Sequence, residues 1–131
     1  MEVKLTPKES EEYFHNALCN GAGELVHHGV QLDWDEKDYK LAKESLKTKE
    51  PNKGICIEDV LLEILRIGKK LSINDLDGDG EYNRSIELKD VHNRVEKTPL
   101  HHLTAMIEEQ DDADTADAIL QTVFFEELIF G

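Results

Sequence analysis

Lys69-Lys70-Leu71-Ser72-Ile73-Asn74-Asp75-Leu76-Asp77-Gly78-Asp79-Gly80-Glu81-Tyr82-Asn83-Arg84-Ser85-Ile86-Glu87-Leu88 is the stretch whose reading decides the fold class. Leu71 and Ile73 alternate with polar residues before the acidic run, and Tyr82, Arg84, Ile86 and Leu88 alternate after it. Side chains of a strand point alternately to its two faces, so a period of two is a strand pattern. Asp77-Gly78-Asp79-Gly80 between the runs is turn chemistry, because Gly accepts positive φ at no steric cost and Asp tolerates it. The spacing predicts one β-hairpin near residues 70–88 with an acidic tip.

The same residues carry a second reading. An EF-hand loop places oxygen ligands at positions 1, 3 and 5, Gly at 6 and a bidentate Glu at 12. Asp75, Asp77, Asp79 and Gly80 match the first half, and that half resembles EF-hand and dockerin-like calcium loops. The resemblance implies a divalent-cation site on Asp75, Asp77, Asp79 and Glu81. The second half departs from the pattern. Position 12 is Ile86, which has no oxygen to offer, and Glu87 stands one residue late. Without its bidentate carboxylate, such a site holds calcium weakly. An EF-hand also needs a helix leaving the loop near Tyr82, and no helical apolar stripe begins until after Leu88.

Outward from this stretch the signals are helical. Thr6-Pro7 pairs an N-cap residue with Pro at the first helical position, and Glu9 completes a capping box. Tyr13, Phe14, Ala17 and Leu18 form one face of that helix, with Asn20-Gly21 read as its stop and residues 21–29 as a loop. Val30, Leu32 and Trp34 alternate as a short strand or extended segment. Asp35 caps a helix to about Leu46. Ile57, Val60, Leu61, Ile64 and Leu65 make the clearest amphipathic helix, ended by Gly68. Lys89-Asp90 opens another helix that stops before Pro99. Pro99 starts a helix with Leu100, Leu103, Met106 and Ile107 on one side. Asp112 or Asp114 caps a last one bearing Ala116, Ile119, Leu120, Val123 and Phe124. Leu128, Ile129 and Phe130 are expected to dock on the body. The sum is a mostly helical α+β fold of five or six helices, one domain over residues 1–131.

Composition bounds the function. The chain has 131 residues, 39% apolar and 34% charged, enough for one core. No apolar run approaches 18 residues, which argues against a membrane span. Met1-Glu2-Val3-Lys4-Leu5 lacks an apolar signal core. Cys19 and Cys56, without a CxxC, read as buried free thiols suited to a reducing cytoplasm, with a disulfide between them as the alternative. The net charge of −14 is uneven: residues 1–97 hold 21 acidic and 15 basic side chains, and residues 98–131 hold eight acidic ones with no Lys or Arg. Such a field repels nucleic-acid phosphates and anionic membranes and favours a basic protein partner.

Candidate chemistry is sparse. Of the six histidines, His27-His28 and His101-His102 are adjacent pairs, which point about 100° apart on a helix. His92 and Glu96 are four apart and could share a face as metal ligands. Asp79 with Glu87-Leu88-Lys89 resembles the core of PD-(D/E)xK nucleases. That resemblance implies two carboxylates around a divalent metal and a lysine assisting the attacking water. It covers about eleven residues, the larger sheet of that family is not visible, and net charge −14 opposes DNA binding. No G-x-S-x-G, Walker or Rossmann fingerprint is present. Glu108, Glu109, Asp111, Asp112, Asp114 and Asp117 crowd the junction of the last two helices. Carboxylates at a helix N-terminus are favoured by its dipole. Their functional reading is a docking surface, with Tyr82, Phe125 and Phe130 as apolar anchors. In its sharper form the carboxylates stand in for phosphates in an inhibitor of a DNA-binding protein. The expected function is therefore a non-enzymatic acidic protein-interaction module without a cofactor, with loose calcium binding second and a metal-dependent hydrolase third.

Overall fold

The computed structural model describes residues 3–110 and 112–130. Among them are six α-helices and a three-stranded antiparallel sheet: α1 Pro7–His27, β1 Val30–Asp33, α2 Glu36–Lys49, α3 Ile57–Arg66, β2 Leu71–Asp75, β3 Arg84–Ile86, α4 Leu88–Arg94, α5 Leu100–Ile107 and α6 Ala113–Phe125. A short 3-10 turn, Val95–Lys97, follows α4. The fold is mostly helical α+β.

The hairpin forms as β2 and β3, with Leu71 opposite Ile86 and Ile73 opposite Arg84. It is joined by a third strand. β1 lies antiparallel on the other edge of β2, with Val30 opposite Asp75 and Leu32 opposite Ile73. Val30, Leu71, Ile73 and Ile86 are buried, so the period-two face turns inward as alternation requires. Tyr82 falls outside the strand, in a loop closed by side chains. Asn83 Oδ1 accepts from Asp75 N at 2.8 Å, and Asp75 Oδ2 accepts from Tyr82 N at 3.2 Å.

α1 starts where its capping box places it: Thr6 Oγ1 accepts from Glu9 N at 3.1 Å, and Glu9 Oε1 accepts from Thr6 N at 2.9 Å. It does not stop at Gly21. It runs on to His27, and Gly29 at φ +87° turns the chain into β1. Gly21 is buried against α6, where an added Cβ would lie 2.7 Å from Ala116 Cβ and 2.9 Å from the backbone of Ala116 and Asp117. Its missing side chain lets two helix backbones approach and does not end a helix. Phe14 and Phe124 meet across the same interface, ring centroids 6.5 Å apart.

α3 is buried along most of its length and packs on α2, and Glu63 is buried between them. Glu63 Oε2 accepts from Ser45 Oγ at 2.6 Å and from Lys49 Nζ at 2.7 Å. On α5, Leu103 and Met106 are buried, but Leu100 and Ile107, expected on the same side, are exposed. After α6, Ile129 N and Phe130 N both donate to Gln121 Oε1 at 2.9 Å, which holds this segment on the body.

Candidate functional site

The acidic junction between α5 and α6 is built from two helix ends. Asp112 caps α6, its Oδ1 accepting from Thr115 N at 2.9 Å, and the backbone N–H of Thr115 holds its carboxyl below the ordinary value. Glu109 sits in the left-handed region at φ +59° and turns the chain away from α5. Ile107, Glu108, Glu109, Asp112 and Asp114 are all exposed. Asp111, also expected in this group, lies outside the described residues.

Asp117 stands apart. Its side chain is only 14% exposed, and Oδ2 contacts His28 Nε2 at 3.0 Å and accepts from Gln121 Nε2 at 2.9 Å. His28 in turn stacks on Phe130, centroids 4.7 Å apart. These groups line a cleft of about 610 Å³ that His102 also borders. Burial, then the neighbouring His101, lowers the pKa of His102 despite Asp112, Asp114 and Asp117. Asp117 therefore braces the inside of the junction, and Glu108, Glu109, Asp112 and Asp114 form its face. Among the described residues, none of those four makes an ion pair with a basic side chain. Elsewhere partly buried acids are neutralised: Glu11 by Arg66 at 2.7 Å, Glu63 by Lys49, Asp90 by Arg94 at 3.3 Å.

The three aromatic anchors expected from sequence pack on one another. Tyr82 lies edge-on to Phe130 at 5.2 Å and Phe125 at 6.4 Å, and Arg84 covers the Phe125 ring at 5.5 Å. They fasten the hairpin loop to the end of α6. Exposed apolar groups beside the acidic face are Ile107, which precedes Glu108 at the end of α5, and Leu128, which lines the same cleft as Asp114.

At the hairpin tip, Asp77, Asp79 and Glu81 are exposed. A hydrogen bond with Asp79 pushes Asp75 above the ordinary carboxylate value, and the backbone N–H of Glu81 holds Asp79 below it. Ile86, the twelfth position of the calcium pattern, is in the core on β3, and the loop exits into a strand. Glu87 is the N-cap of α4 and Lys89 lies in its first turn, 3.5 Å apart. The E-x-K of the nuclease pattern is therefore not on a strand. His92 and Glu96 also do not share a ligand position. His92 Nε2 contacts Glu11 Oε2 at 2.8 Å, and Glu96 Oε2 accepts from Leu5 N at 3.0 Å.

One group was not anticipated. His15 and Cys19 stand one turn apart on α1, and Cys56 and Asp59 occupy the N-cap and third position of α3. Ligand atoms of His15, Cys56 and Asp59 all lie within 4.8 Å of one another; among the described residues no other three His, Cys, Asp or Glu side chains do so. The thiols are free, as expected, but exposed and not buried. Partial desolvation by the packed helices, then nearby Glu58 and Asp59, raises the pKa of Cys19, and partial desolvation likewise raises that of Cys56. That is opposite to what a thiol nucleophile needs. His15-x-x-x-Cys19 and Cys56-x-x-Asp59 are both readable spacings, but nothing local joins them. No protein-family model, curated protein or solved structure matches this chain.

Proposed function

We propose that this protein is a non-enzymatic acidic interaction module whose α5–α6 junction docks a basic protein. The observation that carries the reading is the set of exposed carboxylates, Glu108, Glu109, Asp112 and Asp114, which among the described residues make no ion pair with a basic side chain, on a chain that pairs many of its other acids. Ile107, the last residue of α5, and Leu128, which lines the same cleft as Asp114, are 41% and 43% exposed and supply apolar contact area. Unpaired charge steers a complementary partner and sets its register, and the apolar groups slow its release.

The test uses a labelled lysine-rich peptide and fluorescence anisotropy at two salt concentrations. Glu108→Gln, Glu109→Gln and Asp114→Asn together should weaken binding about tenfold at low salt. Asp77→Asn, Asp79→Asn and Glu81→Gln at the hairpin tip remove the same charge and should matter far less. Equal losses from the two triples would show a general field and no docking face. In the phosphate-mimic form of this reading the partner is a DNA-binding protein, and duplex DNA competes with the face for it.

A second reading has one observation in its favour. Asp75 and Asp79 interact closely enough at the loop tip to push the Asp75 carboxyl up and hold that of Asp79 down, a repulsion a loosely held divalent cation would relieve. Calcium at millimolar concentration should then raise the melting temperature by mass action. No shift, with Asp77→Ala melting like the parent, removes it.

A further inference from the structure

We infer that His15, Cys56 and Asp59 form a site for a thiophilic divalent cation, zinc by its donor set. Imidazole, thiolate and carboxylate together are zinc ligands, whereas calcium and magnesium take oxygen alone. Zinc bonds of about 2.0–2.3 Å put tetrahedral ligand atoms about 3.3–3.8 Å apart. The three atoms here lie within 4.8 Å, so closing on an ion takes side-chain shifts of about 1 Å and no change in the helices.

The site is held from two directions. Asp59 Oδ2 accepts from Cys56 N at 3.2 Å, the carboxylate half of a capping box, and this leaves Oδ1 facing His15 Nε2 at 2.7 Å. A metal entering between α1 and α3 replaces that contact and takes both atoms. Cys19 Sγ lies 3.9 Å from the other nitrogen of the ring, Nδ1. It therefore orients the imidazole from behind, as groups beyond the ligands do in metal sites. A cleft of about 320 Å³ bordered by His15 and Asp59 gives solvent access, so the fourth position is open to water or a small ligand. His15 and Asp59 are 26% and 24% exposed, reachable without unfolding.

Cobalt(II) tests the assignment, because a thiolate ligand gives it an intense near-ultraviolet charge-transfer band. The reduced full chain should bind one cobalt with that band, zinc should displace it, and saturating zinc should raise the melting temperature by about 5–10 °C. Cys56→Ser should abolish the band and Cys19→Ser should keep it. His15→Gln should weaken zinc binding at least tenfold; second-layer changes cost about that much and ligand changes more. Absence of the band, or its loss with Cys19→Ser and retention with Cys56→Ser, would overturn the site. Far-ultraviolet circular dichroism of each variant separates lost metal binding from lost fold.

Discussion

Replacing Gly21 with Ala sets local propensity against tertiary packing. In a helix interior Ala is favoured over Gly by about 1 kcal/mol. From helix propensity alone, Gly21→Ala within α1 should therefore stabilise the protein. The packing predicts the reverse. The new Cβ would sit 2.7 Å from Ala116 Cβ and 2.9 Å from two backbone atoms of α6, closer than carbon atoms approach without displacement. Backbone cannot rotate aside, so α1 and α6 must separate and loosen the interface that includes Phe14 and Phe124. Overpacking costs about 1–3 kcal/mol, and the backbone contacts put this case at the upper end. Subtracting the propensity gain leaves about 2 kcal/mol of destabilisation. An unfolding entropy of about 2.1 cal/mol/K per residue turns that into a fall in Tm of about 7 °C. Gly23 is the control: it is exposed on the same helix and an added Cβ meets nothing within 4 Å. Gly23→Ala should raise Tm by about 2–4 °C. Thermal melts followed by circular dichroism read both. A Gly21→Ala protein as stable as the parent would refute the close-approach account.

Three further outcomes follow. Burial raises the pKa of Glu63, but the hydrogen bonds from Lys49 and Ser45 and the Arg66 charge outweigh it and hold the carboxyl below its ordinary value of 4.5. A depressed folded-state pKa contributes stability above the unfolded value that is lost as pH falls through the folded one. Lys49→Met should therefore cost about 2 kcal/mol in chemical denaturation at neutral pH, a gap that narrows below pH 4.5. Glu109→Gly, which relieves a left-handed backbone at φ +59°, should stabilise by about 1 kcal/mol while weakening capture of a basic peptide. Gln121→Leu removes the acceptor for two backbone N–H groups and should raise hydrogen exchange at Ile129 and Phe130 before it affects α1.

Much of the architecture was readable because its determinants are local. Thr6 and Glu9 cap α1, Asp112 caps α6, and the alternation around Asp75–Glu81 makes β2 and β3. What escaped reading depends on distant partners. Gly21 carries a stop signal locally and a packing role globally, which only α6 reveals. β1 becomes a sheet edge only once β2 lies beside it. Asp117 looks like one more exposed acid until His28 and Gln121 take it inward. Leu100 and Ile107 fit the apolar stripe of α5, but they stand at its two ends, where no other element packs over them enough to bury them. His15 and Asp59 lie 44 positions apart on two different helices, and no periodicity relates them.

The α1–α6 interface also governs when this chain can fold. Phe14 and Gly21 find Phe124 and Ala116 about 100 residues further on. At about 5–20 residues per second, a ribosome takes about 5–20 s to supply that partner. For that interval the apolar face of α1 has nothing from α6 to cover it, and closing so long a loop slows the search afterwards. The nascent protein should thus need shielding until α6 emerges, and assembly should be set by this one distant pairing more than by the local helices.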